Sequence, residues 1–336
     1  MVTGITIYKK WGELVMKYNY VIFATDNDYY KVAYKDVIGL EEVKYIWREL
    51  DSEDKFLTFL YKLHTSPMTN KFFDLPLKKI WNQKMFKNTF KNNKPICFIF
   101  FPGRRKEYNN GLIEYLRKTY KNSKFVLFYQ DLVKKSKMPE IEMFKKQFDL
   151  VLSFDHRDAM VYSLDYYPLV YSPIDIPVSE ISESDVYFVG KAKDRLDEIR
   201  ESYNIFRNAG LRCDFHVTGV SQEDVKEDGI IYNQIVPYIE NLQRIKATRC
   251  MLEIMQKDGH GFTLRYCEAI MYGKKIITNN PEIKEAPFYS EQRIQVFENP
   301  QEITDKFVME GEEKVDYGYK DKLSPKRLLD FLDNKL

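Results

Sequence analysis

The stretch from His260 to Thr278 holds the densest set of residues that could do chemistry: His260-Gly261-Phe262-Thr263-Leu264-Arg265, then Glu268, then Gly273 and Ile276-Ile277-Thr278. Gly259 and Gly261 permit a tight loop with close backbone approach. Thr263 is a helix-capping type. The helix that follows would present unpaired N–H groups and a positive dipole end, which together favour an anion. Arg265 adds a fixed cation whose fork matches phosphate geometry. A second basic turn, Gly190-Lys191 with Lys193 and Arg195, follows another apolar run. The chemistry this points to is the holding of a phosphate-bearing ligand.

Elements of a definite kind must position these groups. Leu264, Cys267, Ile270 and Met271 give the helix an apolar face, Gly273 suits its C-terminal cap, and Ile276–Thr278 reads as a β-branched strand. Upstream, apolar runs alternate with helical spacing. Residues 20–25, 96–101, 125–128 and 148–153 read as strands, as do 186–190, 213–219 and 250–254, while 230–233 leads into the next helix. Helical patterns cover 40–50, 54–64, 112–120, a segment ending near Ala209, 238–248 and 325–336. This rhythm predicts an α/β chain with parallel, doubly wound sheets. Such sheets bind ligands at the carboxyl ends of their strands. Arg104, Arg105, Asp131, Asp155 and His156, each just after a strand, are therefore the polar groups to watch.

The motif resembles the donor-binding segment of GT-B glycosyltransferases. Gly261-Phe262 matches that family's Gly-Phe, and Glu268-Ala269-Ile270 its Glu-Ala-Met. Gly273 with Ile276–Thr278 matches the closing glycine and strand. His260 stands where retaining members carry a first glutamate, and Thr263 where they carry a second glycine. The rest resembles, more loosely, glycosyltransferases of bacterial surface-polysaccharide synthesis. The resemblance implies two Rossmann-like domains facing a central cleft. It also implies metal-independent, hexosyltransferase-like chemistry without a cofactor, from a UDP-linked or similar nucleotide-sugar donor to a glycan or lipid-linked acceptor. Gly190, Lys191, Arg195, His260, Gly261, Phe262, Thr263, Leu264, Arg265 and Glu268 would then bind the donor, with Glu268 on the ribose. An inverting reaction would also need a base from the N-terminal half, with Asp155 or His156 favoured over Asp131. The competing functional reading is a noncatalytic nucleotide- or sugar-binding subunit of a polysaccharide assembly.

A chain of 336 residues suits two domains. Residues 1–170 are expected to form the acceptor-side domain and 171–184, with Pro173 and Pro177, the linker. Residues 185–310 would be the nucleotide-sugar domain, and 311–336 a tail helix returning to the first. Lys+Arg number 52 and Asp+Glu 50, so global charge does not point to nucleic acid. The cysteines, Cys97, Cys213, Cys250 and Cys267, lie in or beside apolar runs and read as buried thiols of a reducing compartment. No run reaches membrane-span length, which predicts a cytoplasmic protein. Asp26 and Asp28 suit a turn more than a metal. Lys71 to Lys94 interleaves lysines with Phe72, Phe73, Trp81, Phe86 and Phe90. That pattern suits either peripheral contact with an anionic membrane on its inner face, or a surface helix that buries its rings.

Overall fold

The computed structural model describes residues 16–47, 54–66, 68–69, 78–104, 111–133, 138–177, 180–257, 259–311 and 314–336. Arg105 and residues 71–77 of the basic aromatic stretch lie outside the described residues.

The first sheet comprises β1 (Asn19–Phe23), β2 (Val43–Ile46), β3 (Ile96–Phe100), β4 (Lys124–Tyr129), β5 (Leu150–Ser153) and β6 (Asp165–Tyr166). Its strands are all parallel, in the order β2-β1-β3-β4-β5-β6. β1 and β3 are buried throughout, as strands covered on both faces must be. The second sheet comprises β7 (Ser184–Lys191), β8 (Cys213–Thr218), β9 (Ile231–Tyr232), β10 (Thr248–Glu253), β11 (Lys275–Thr278) and β12 (Ile294–Val296). It is also parallel, in the order β12-β11-β10-β7-β8-β9. The chain builds outward from β7, then crosses back to β10 and builds the other way. β7 and β10 therefore flank a topological switch point, the usual ligand crevice of such sheets. These are two Rossmann-like, doubly wound units, the GT-B architecture.

One expected element is of the other kind. Residues 40–50 read as helical, yet β2 occupies 43–46 and pairs in parallel with β1, Tyr20 opposite Val43. The apolar residues there, Val43, Tyr45 and Trp47, alternate, and Tyr45 stacks on Trp47 at 4.7 Å. A period of two fits a strand, and tertiary pairing decided a short ambiguous run. In the second half of the basic aromatic stretch, a helix spans Lys78–Met85, with Trp81, Met85 and Phe86 buried and Lys84 and Lys87 exposed. Trp81 Nε1 donates to His64 Nδ1 at 2.8 Å. The described rings of that stretch are thus packed inward.

Two further segments tie the halves together. Tyr171 and Ser172, where the chain leaves the first sheet, are fully buried. Ser172 Oγ donates to the Ala33 carbonyl at 2.9 Å, and Tyr171 N–H donates to the Leu323 carbonyl at 2.6 Å. The last helix, Pro325–Lys335, begins with Ser324 as its cap and a proline in its first turn. It lies on the first sheet, where the Tyr20 hydroxyl meets the Leu329 carbonyl at 3.0 Å and Asp333 Oδ1 at 2.6 Å. Leu328, Leu329 and Leu332 belong to an apolar cluster that also holds Tyr20, Ile99 and Val170 of the first unit and Met251, Tyr266 and Ile270 of the second. Leu329→Ala should therefore cost about 2–5 kcal/mol, read as a lower urea midpoint. An unchanged midpoint would mean that this helix is not part of the shared core.

Candidate functional site

A cavity of about 440 Å³ lies between the two sheets at their carboxyl ends. From the first unit it is lined by Tyr29, Gln130, Asp131, Leu132, Phe154 and Leu169. From the second come Phe188, Val189 and Gly190 of β7 and Arg195 just after it, Leu252 to Gln256 at the end of β10, and then Gly259, His260, Thr263, Leu264 and Arg265.

The glycine loop and the helix after it are built as their sequence requires. Thr263 has extended backbone and caps the helix Leu264–Tyr272, accepting from Arg265 N–H at 3.2 Å. Gly273, at φ 63°, ends it. The helix start faces the cavity. Arg265 lies over it with its guanidinium fixed from below: Nη1 donates to Glu268 Oε2 at 2.6 Å and Nη2 to the Val189 carbonyl at 2.9 Å. Burial is the strongest single influence on this guanidinium and would lower its pKa, but Glu268, with Tyr187 and Tyr238, makes the net shift upward. Arg265 has five N–H donors, so this support leaves others for a ligand. Arg195 is anchored to the Ile254 carbonyl through Nη1 and to the Lys191 carbonyl through Nε at 3.2 Å and Nη2 at 3.1 Å. Burial lowers its pKa, though an arginine stays charged. Gly190 lets this guanidinium lie across the strand end, since a Cβ there would stand 3.1 Å from Arg195 Nη2.

Several expected site residues are placed elsewhere. Glu268 is 0 % exposed, with Oε1 accepting from Asn241 at 3.2 Å and Oε2 from Arg265. Its carboxylate holds the arginine and does not reach the cavity, so a direct bond to a ribose is excluded in this conformation. Lys191 points to solvent and offers its carbonyl to Arg195. Phe262 packs against Phe288 at 5.6 Å and Tyr266 at 6.3 Å. Gly261 sits at the interface of the two units without lining the cavity.

The candidate bases rearrange too. Asp155 is 1 % exposed and caps the short helix His156–Tyr162, its Oδ1 accepting from Asp158 N–H at 2.7 Å. Its Oδ2 is buried without a partner, facing Gly261. His156 is exposed, edge-on to Tyr166 at 5.4 Å. Neither lines the cavity. Asp131, the less favoured of the three, does, exposed just beyond the end of β4. His260 lines the cavity as well. Its ring is reached by Arg157 of the first unit and lies 3.7 Å from Glu282. Arg104 ends a short turn after β3.

Sequence reasoning passed over Glu253, the last residue of β10. It is 4 % exposed, yet it lines the cavity. Its Oε1 accepts from the Thr263 hydroxyl and its Oε2 from the Thr278 hydroxyl at 2.9 Å. An acidic residue closing a buried strand directly before a glycine loop was the available signal. Tyr29, which meets Tyr238 of the second unit at 5.9 Å, carried none.

No family model matches the chain, and no curated protein matches it. Similar solved structures include the glycotransferase of kitacinnamycin, 10% identical with a TM-score of 0.46, covering 95% of this chain and 99% of that one. Another is a UDP-forming α,α-trehalose-phosphate synthase from Burkholderia xenovorans, 9% identical with a TM-score of 0.49, covering 95% and 97%. A third contains accessory secretory proteins 1, 2 and 3 of Streptococcus pneumoniae, 12% identical with a TM-score of 0.47, covering 77% of this chain and 56% of that one. Of these three, one is named a glycotransferase and one a UDP-forming trehalose-phosphate synthase.

The contact between Asp155 and Gly261 joins the two units beside the cavity. Gly261 has φ 72°, and a Cβ there would fall 2.5 Å from Asp155 Oδ2. Gly261→Ala should destabilise through this clash and through the left-handed backbone, the latter costing roughly 1–2 kcal/mol. With Asp155→Ala the clash disappears and the strain remains, so the double variant should lose less than the sum of the single losses. Thermal unfolding of all three variants measures this. Strictly additive losses would show that the contact is not made in solution.

Proposed function

We propose that this protein is a glycosyltransferase that binds a nucleotide-sugar donor, UDP-linked by preference, in the cleft between its two units. The observation that carries the reading is the pairing of Arg265 and Arg195 with a capped helix start, at the switch point of the second sheet. That wall of the cavity is suited to a diphosphate: fixed N–H donors and two guanidiniums meet the charge that builds on a leaving nucleoside diphosphate. Both guanidiniums are already oriented by carbonyls, so little reorganisation is needed when charge develops.

Across the cavity, Asp131 is the carboxylate available as base. In the inverting reaction proposed here, the acceptor oxygen attacks the anomeric carbon and its proton passes to Asp131. The bond from that carbon to the phosphate oxygen breaks, and the nucleoside diphosphate leaves with the electron pair. Glu268 serves at one remove, holding Arg265 in place.

Arg265→Ala removes a charged hydrogen-bonding group and should weaken UDP binding by about 1.5–3 kcal/mol, measured by calorimetry on folded protein. Asp131→Asn should keep UDP affinity and slow the release of UDP from a cleaved donor by roughly two to four orders of magnitude. Failure of UDP and of a panel of nucleotide sugars to bind the parent chain would refute the donor reading. Binding without hydrolysis or transfer would favour the noncatalytic subunit.

We place the acceptor at a membrane surface, as a lipid-linked saccharide of surface-polysaccharide synthesis. The support is the helix Lys55–Thr65. Leu57, Leu60 and Tyr61 pack on the first sheet, while Phe56 at 66% and Phe59 at 60% exposure share the opposite face with Leu63, Lys55 and Lys62. No acidic residue lies within this helix or within Lys78–Met85. Exposed rings among lysines, on helices that hold no acidic residue, suit an anionic bilayer. The protein should float with vesicles containing phosphatidylglycerol, less so in high salt, and Phe56→Ser with Phe59→Ser should abolish flotation. Equal binding to neutral vesicles, or none to either kind, would remove this placement.

A further inference from the structure

The transfer chemistry above leaves Glu253 unused, although it stands in the wall that would receive the diphosphate. Its position is fixed from several sides. The hydroxyls of Thr263 and Thr278 meet its two oxygens. Thr278 in turn touches the Tyr266 hydroxyl at 3.1 Å and accepts from Asn280 N–H at 3.0 Å. The Thr263 hydroxyl does two jobs, donating to Glu253 while accepting from Arg265 N–H. Glu253 thereby sets the direction of the cap at the helix start.

A carboxylate in this place is electrostatically opposed to the ligand the wall is shaped for. The charged and titratable groups around it are Arg265 and Tyr266 on the helix Leu264–Tyr272 and Arg195 on the turn after β7. His260 on the glycine loop and Asp131 from the first unit line the same cavity. In the empty cleft the two guanidiniums offset its charge. When a diphosphate occupies them, that compensation is drawn toward the phosphates. An ionised Glu253, itself buried, is then left beside a second anion, and at a buried group like charges interact strongly. Two arrangements relieve this: the carboxylate leaves, or it takes a proton. Both of its oxygens are held by hydroxyls, of Thr263 at the helix cap and Thr278 in β11, which opposes leaving and favours the proton.

We propose that Glu253 is the proton-linked element of the cleft, taking up one proton from solvent when a nucleoside diphosphate binds and returning it on release. This rests on the donor reading of the cleft. Protonation places the hydrogen on one carboxyl oxygen, making that oxygen a donor. Thr263 or Thr278 can answer by rotating its hydroxyl, which both gives and accepts hydrogen bonds. Burial already pushes the Glu253 carboxyl above the ordinary glutamate value, so a nearby anion has only to extend an existing shift. Linkage fixes the sign. If the bound-state pKa is the higher, affinity is greatest below the free-state pKa. It then falls as pH rises through the interval between the two values, by at most about tenfold per pH unit for one proton.

The test is calorimetry of UDP binding to the full chain, at one pH within that interval, in two buffers of different ionisation enthalpy. The UDP terminal phosphate titrates in its own right, so the readout is the difference between the parent and Glu253→Gln. The parent should take up more protons per UDP, by a fraction approaching one, and Glu253→Gln should bind UDP at least as tightly on the alkaline side. The infrared difference spectrum of the unmodified protein gives an independent reading, since UDP should bring up a protonated-carboxyl band. Equal proton uptake by the two proteins, or no such band in a parent that binds UDP, overturns the inference and leaves the donor reading standing. Absence of UDP binding by the parent overturns both.

Discussion

The interaction on which the cleft depends is the ion pair between Arg265 and the fully buried Glu268. A carboxylate with no exposure must be paired and hydrogen-bonded or it would not stay ionised. Here Asn241 supplies a bond to one oxygen and Arg265 a charged bond to the other. Asn241 is itself held by the Tyr187 hydroxyl at 3.0 Å, and Arg265 reaches the Val189 carbonyl. The pair thus ties the helix Tyr238–Ala247, the helix Leu264–Tyr272 and β7 into one unit. Removing Glu268 would leave a cation over the end of β7 with little to aim it, so this acid can matter to a ligand without touching it.

That chain of support explains what was legible in the sequence and what was not. The Gly-Phe and Glu-Ala-Ile residues announced the loop, cap and helix, and Thr263, Gly273 and the strand after them take those roles. The placement of the Glu268 side chain was not legible, because a motif gives residue types without a side-chain direction. Arg265 and Glu268 are three residues apart on a helix, a spacing that makes them neighbours, so the internal pair was readable from local geometry. Asp155 shows the converse. An aspartate after a strand and before a helix is both a plausible base and a good cap, and only the approach of Gly261 from the other unit decides that it is enclosed. Glu253 was invisible as a site residue because its cavity wall is completed by residues from β7 and from the first unit, far off in sequence. In β2, pairing with β1 overrode a short apolar pattern that suited either element.

The two units do not meet only across the cavity. One apolar cluster runs from Tyr20 and Ile99 through Val170 to Met251 and Ile270. The Tyr171 and Tyr238 hydroxyls meet at 2.8 Å beside it. Ser324 Oγ donates to Asp36 Oδ2 at 2.8 Å, and Asp36 N–H donates to Ser172 Oγ at 2.9 Å. The chain after the first sheet and the approach to the last helix therefore converge on the same short turn. A shared core of this kind opposes wide separation of the sheets. Adjustment of the cleft is left to the polar contacts at its mouth, where Gly261 meets Asp155 and His260 meets Arg157.

These mouth contacts bear on how the cleft handles charge. Arg157 spends its guanidinium on the His260 ring, and Glu282 accepts from Gly261 N–H at 3.0 Å. The glycine loop is thus held by one cation and one anion, neither among the residues lining the cavity. Inside, two guanidiniums oppose a buried and an exposed carboxylate, Glu253 and Asp131. An interior so nearly balanced would bind a dianion weakly if all four groups kept their charges. Its selectivity for an anion then depends on which carboxylate is neutralised or distant when the ligand arrives. Asp131 is exposed and belongs to the opposite wall, so water screens it and an acceptor can take its place beside the ligand. Glu253 has neither relief. The balance of the cleft therefore turns on Glu253, the buried acid that lines the cavity on the same wall as the arginines.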